Sequence, residues 1–156
     1  MSVHSSVPPA VLDDRDRASA RPARILVVFE STPSGVAALH EASRLREADT
    51  HVTVVTLAPQ SLQPRCCARG PSVEVVNCVV RDEAASDLCE AREILGDERD
   101  VTFETLIGTR DPPLHAWAAA RSFDLIVLPA RRLSLGGHPL ARKLRRVTAA
   151  EVRLAG

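Results

Sequence analysis

The stretch PARRLSLGGHPLARKLRRV, residues 129–147, holds the side chains and turns best suited to chemistry. It contains two adjacent glycines, Gly136 and Gly137, and six lysine or arginine residues. Glycine lets backbone N–H groups close on a phosphate, and arginine grips phosphate oxygens with paired donors. The stretch follows the apolar run Asp124-Leu125-Ile126-Val127-Leu128, which reads as a buried strand. A loop at that place in an α/β protein often cradles phosphate. Arg131, Arg132 and Arg142 are therefore candidate anion ligands, with Gly136-Gly137 as a displaced backbone nest. The simpler reading makes the arginines a solvated face and the glycines a flexible turn. Glu30, at the end of an earlier apolar run, is the foremost candidate acid. It could equally be a turn residue that caps the next helix.

Other reactive side chains carry weaker patterns. Cysteines stand at positions 66, 67, 78 and 89. Zinc sites space their cysteines by about two to four residues, so the adjacent pair Cys66-Cys67 is an awkward ligand set. His51 and His115 are available as further ligands but lack motif spacing, and no metal is expected. Arg65 and Arg69 flank the pair and would favour thiolate, which leaves a redox-sensitive thiol as the alternative to no special role. Ser31, Ser34 and Ser134 fall in loops without a G-x-S-x-G elbow, and Ser34 reads as a helix cap. No H-E-x-x-H, Walker A or G-x-G-x-x-G pattern occurs. No catalytic residue is expected.

The balance of the chain excludes some partners. Its 156 residues carry a net charge of zero and a pI near 7.0. Such a chain sets up no field to draw in nucleic acid or an acidic membrane. Apolar residues make up 45% and aromatic ones only 3%, so the core must be aliphatic. Lys143 is the only lysine, which reads as codon bias rather than function. No apolar run reaches the roughly 18 residues of a membrane helix. The segment MSVHSSVPPAVLDDRDRASARPA has no continuous apolar region like that of a secretory signal. Residues 1–22 are expected to be a disordered tail and residues 23–156 a single domain. A cytoplasmic address follows by default, with reduced thiols.

Strand and helix signals alternate from residue 24 onward. Arg24–Phe29 reads as a central strand buried on both faces, and Glu30–Gly35 as a capping turn. Val36, Leu39, Ala42 and Leu45 then recur at helical spacing. His51–Leu57 is a second strand, ended by Ala58-Pro59. Val73–Val76 reads as loop. A helix then runs from Val79, with Val80, Ala84, Leu88, Ala91 and Leu95 on one face and Gly96 as its C-cap. Val101–Ile107 is a third strand ended by Gly108, and Asp111-Pro112-Pro113 starts the next helix, with Trp117 in the core. Asp124–Leu128 is the fourth strand. Leu140, Leu144 and Val147 form the apolar stripe of a last helix, and Glu151–Leu154 a final short strand. Right-handed crossovers put this order into a single-domain open parallel five-stranded sheet, Rossmann-like, with helices on both faces. Ligands of such sheets bind beyond the carboxyl ends of the strands.

These elements, taken together, resemble the universal stress protein family over about residues 24–155. ILVVFESTPSGVAAL is similar to its opening strand, acidic turn and helix. HVTVVTLAP is similar to its second strand. GTRDPPLHAWAAARSFDLIVLPARR is similar to its late signature. The resemblance implies the adenine nucleotide α-hydrolase-like fold. In members that bind ATP, the loop after the fourth strand carries G-x2-G-x9-G-S/T. Here the first glycine falls near Pro129 or Ala130, the second near Arg132, and the last pair on Arg142-Lys143. Proline has no N–H, and arginine places a Cβ and a long side chain where backbone should meet phosphate. Glu30 stands where the family has aspartate, and Ser31 where it has glycine.

The resemblance therefore implies a non-enzymatic, cytoplasmic regulatory or stress-response protein that lacks the usual ATP mode and takes no cofactor. It also implies a homodimer through the last strand, here the short and charged Glu151–Ala155, and regulatory protein partners of unknown identity. Neither nucleic acid nor membrane is an expected partner. The alternative is a nucleotide- or anion-binding sensor, with ATP itself possible. It would use a pocket of Glu30, Ser31, Leu57, Pro129, Arg131, Arg132, Gly136, Gly137 and Arg142. An enzyme of the wider hydrolase-like group would need S-G-G-x-D/S near residues 31–35, and Ser31-Thr32-Pro33-Ser34-Gly35 offers one glycine and a proline.

Overall fold

The computed structural model describes residues 23–61, 71–96, 98–109, 114–130 and 138–156. The expected tail, the Cys66-Cys67 pair and the Asp111-Pro112-Pro113 helix start lie outside the described residues. So do Arg131, Arg132, Ser134, Gly136 and Gly137.

The described elements run β1 (Arg24–Val28), α1 (Pro33–Leu45), β2 (His51–Gln60), α2 (Val73–Leu95), β3 (Val101–Thr109), α3 (Leu114–Arg121), β4 (Leu125–Pro129), α4 (Pro139–Val147) and β5 (Glu151–Ala155). All strand pairs are parallel, in the order β3-β2-β1-β4-β5. The expected fold class is the observed one. β1 is central, and Ile25, Leu26, Val27 and Phe29 are fully buried. Alternation along the strands splits the core. Ile25, Val27, Phe29 and Val127 pack with Ala38, Leu39 and Ala42 of α1 and Ala91 of α2. Leu26, Val28, Ile126 and Leu128 pack with Leu114 and Ala118 of α3 and Ala141 and Leu144 of α4. Helices thus cover both faces, as a parallel sheet demands.

Several boundaries differ from the sequence reading. β2 does not stop at Ala58-Pro59; it continues to Gln60, pairing Pro59 with Gly108 and Gln60 with Thr109 of β3. The N–H of Phe29 donates to the Val55 carbonyl, so odd-numbered residues of β2 face β1. The missing N–H of Pro59 therefore points to the side where β1 has already ended, and removes no rung. Gly108 likewise lies inside β3 rather than ending it. Leu57, expected at a strand end, is mid-strand and half-buried against the α3–α4 side of the core.

Val73–Val76 is not loop but the opening turn of α2, because the Ser72 hydroxyl accepts from the Val75 N–H at 3.3 Å. At the start of α1 the cap is Thr32 rather than Ser34. The Thr32 hydroxyl accepts from the Gly35 N–H at 3.1 Å, and Pro33 takes the first helical position. Trp117 is half-buried rather than core. It stacks on Phe123 at 5.6 Å between ring centres, and Arg121 covers the ring at 4.1 Å. Val147 is 46% exposed and leaves the expected stripe, since it is the last residue of α4.

Candidate functional site

Chain order reverses direction at β1. From β1 the chain moves to β2 on one side, while β4 lies on the other. This is the switch point of an open sheet, where a crevice opens beyond the carboxyl ends. The β1–β4 pairing ends at Val27–Val127, and Pro129 has no N–H with which to extend it. Among the described residues three segments lie at this switch point: Glu30–Gly35 after β1, Pro129-Ala130 after β4, and the adjoining part of α2.

The first segment is a tight turn. The Thr32 N–H donates to the Glu30 carbonyl at 2.7 Å. Gly35 is required because a Cβ there would stand 2.0 Å from the Glu30 carbonyl oxygen. Ser31 turns toward α2. Its hydroxyl donates to Glu90, and its backbone N–H acts on the Asp87 carboxyl, holding that pKa down. Burial pushes the Asp87 carboxyl above its usual range, and the neighbouring carboxylates of Glu90, Glu30 and Glu83 push the same way, against the Ser31 hydrogen bond. The β1 side of the crevice is therefore negative.

Among the described residues the β4 side offers little to an anion either. Pro129 is buried at the strand end, and the Ala130 N–H donates to the Ala155 carbonyl at 2.7 Å. Gly156 lies against both flanks: a Cβ on it would be 2.8 Å from the Ala130 Cβ and 3.8 Å from the Ser34 Cβ. Arg142 sits exposed on α4. Glu30 and Ser31 thus reach the crevice from β1 and Pro129 from β4. Leu57 belongs to the hydrophobic core.

Solved structures resemble this chain in fold. The universal stress protein UspA from Lactobacillus plantarum matches with a TM-score of 0.63 at 18% identity, over 88% of this chain and 100% of that one. The chain has the universal stress protein fold. A universal stress protein in complex with cAMP matches at TM-score 0.60 and 14% identity, over 88% of this chain and 99% of that one. The universal stress protein from Archaeoglobus fulgidus in complex with dAMP matches at 0.51 and 19%, over 85% and 96%. No protein-family sequence model and no curated protein sequence matches the chain.

Within this universal stress protein fold, the sequence reading missed the acids of α2. Asp87 and Glu90 are three residues apart and share a helix face, which the spacing could have told. Nothing local told that this face meets Ser31. A separate recess of about 880 Å³ lies at the opposite, amino-terminal edge of the sheet, lined by Arg46, Glu47, Asp49, His51, Glu98 and Asp100. Arg46 bridges Glu98 and, at 2.8 Å, Asp100, so the recess is an ion-pair network rather than an open ligand set. Cys78 and Cys89 are exposed on α2, and the Cys78 thiol faces Asp82 at 3.8 Å. Among the described residues no cluster of three or more metal-binding side chains occurs, and no helix is long and apolar enough to cross a membrane.

Proposed function

We propose that this chain is a regulatory or stress-response protein of the universal stress protein type that acts without catalysis and does not hold ATP by the family's backbone loop. One observation carries the reading: among the described residues at the switch point, three main-chain donors are already occupied. Thr32 N–H serves the Glu30 carbonyl, Gly35 N–H the Thr32 hydroxyl, and Ala130 N–H the Ala155 carbonyl. Pro33 and Pro129 have none. On the β1 side a polyphosphate would meet the carboxylates of Glu30, Asp87 and Glu90, a repulsive arrangement at any effective dielectric. A protein of this kind works in the cytoplasm through other proteins and as a homodimer joined by β5.

Structural neighbours in complex with cAMP and dAMP define the test. The protein, first checked for carried-over nucleotide, is titrated calorimetrically with Mg-ATP, Mg-ADP, cAMP and dAMP. No heat and no carried-over nucleotide is the expected result. Micromolar binding that disappears in Glu30→Ala or Arg132→Ala would overturn the reading in favour of a nucleotide sensor with an arginine-based pocket.

A further inference from the structure

Among the described residues β5 is an edge strand that pairs with β4 alone. Its hydrogen bonds fix which groups look outward. The Glu151 N–H donates to the Asp124 carbonyl, and the Ala155 carbonyl accepts from Ala130. Odd-numbered residues of β5 therefore face β4, and the backbone groups of Val152 and Leu154 face the open side. One of these is already taken. Arg145, on α4, donates through Nη2 to the Val152 carbonyl at 2.9 Å. A charged side chain laid on an open edge is a known guard against strand addition.

The charges of β5, Glu151-Val152-Arg153-Leu154-Ala155, show what this edge matches. Consider antiparallel pairing with a second copy of the chain. Centred on Arg153, the two arginines oppose each other in the close position, about 4.5 Å between Cα atoms, where like charges destabilise. Centred on Glu151, the two glutamates do so. Centred on Val152, Glu151 of each copy opposes Arg153 of the other, and the two Val152 residues exchange both backbone hydrogen bonds. Arg153 already reaches Glu151 at 2.7 Å and Glu41 at 3.4 Å, so the charges would join an alternating cluster. Leu154, 45% exposed, would be covered opposite Ala150.

We propose that β5 pairs in this Val152-centred register with a second copy, and that Arg145 is a removable cap on the central acceptor. The proposal rests on the homodimer reading given under the proposed function. The Val152 carbonyl cannot take the incoming N–H at full strength while the guanidinium holds it, so the cap opposes association. One such contact corresponds to roughly a five- to tenfold change in an equilibrium constant.

Sedimentation across a concentration series tests this on the full chain. Arg145→Ala is expected to tighten self-association at least fivefold. Adding Leu154→Pro, which removes an outward N–H, or Leu154→Lys should abolish the gain, with melting curves confirming that each variant folds. A measurable dissociation constant that Arg145→Ala leaves unchanged or weakens overturns the cap alone. A gain that survives both Leu154 variants places association elsewhere and overturns the register. Monomers at every concentration for both the natural chain and Arg145→Ala overturn the β5 pairing beneath the proposal.

Discussion

The Gly35 backbone lies so close to the Glu30 carbonyl that a methyl group on Gly35 would stand 2.0 Å from its oxygen. The obstacle is main chain, so it cannot rotate away. Gly35→Ala must push the turn after β1 out of shape, and is expected to cost about 2–3 kcal/mol, in the range of overpacked sites. Urea denaturation would show this as a lower midpoint at unchanged slope. A midpoint equal to that of the natural chain would mean the turn yields freely.

The cap of α1 gives a paired test. Thr32→Ala removes the side-chain acceptor for the Gly35 N–H and is expected to cost about 1 kcal/mol. Ser34→Ala, two residues on, should stay within about 0.5 kcal/mol. The reverse order in thermal melts would restore Ser34 as the cap.

Asp87 makes stability depend on pH. Its folded-state pKa is raised from 3.8 by burial first and by Glu90, Glu30 and Glu83 next. The folded protein thus binds the proton more tightly than the unfolded chain. Stability should fall as pH rises from the unfolded value through the raised folded value, and the penalty should be fully present above it. Asp87→Asn is expected to melt higher than the natural chain at neutral pH, with the advantage vanishing at the acid end. An advantage independent of pH would remove the electrostatic account.

Packing of α4 on the sheet supplies a fourth measurement. Leu144 is fully buried and Val147 is 46% exposed. Leu144→Ala is expected to cost about 2–5 kcal/mol, and Val147→Ala less than about 0.5 kcal/mol. Equal losses in denaturant titration would put Val147 back in the core.

Periodicity read the layers well because it reports burial, and burial is what a parallel sheet imposes on Ile25–Phe29 and Leu125–Leu128. It failed where a neighbour strand decided the outcome. Pro59 reads as a stop in isolation, yet it is harmless in β2 because β1 has ended beside it. The site was legible only in part for the same reason. Glu30 announces itself at a strand end, but the acids that meet Ser31 are Asp87 and Glu90, more than fifty positions away in the chain. Ala130 looks like an ordinary loop alanine, and only the Ala155 carbonyl opposite it shows that its N–H is taken.

The stack of Arg121, Trp117 and Phe123 has a practical consequence. The chain contains one tryptophan and no tyrosine, so its ultraviolet emission comes from a single indole. That indole touches a guanidinium and a phenyl ring, on the helix that leads into β4. Release of α3 from the sheet would expose it to water and shift its emission to the red. The protein thus carries an intrinsic optical gauge of that one docking event, readable without a label.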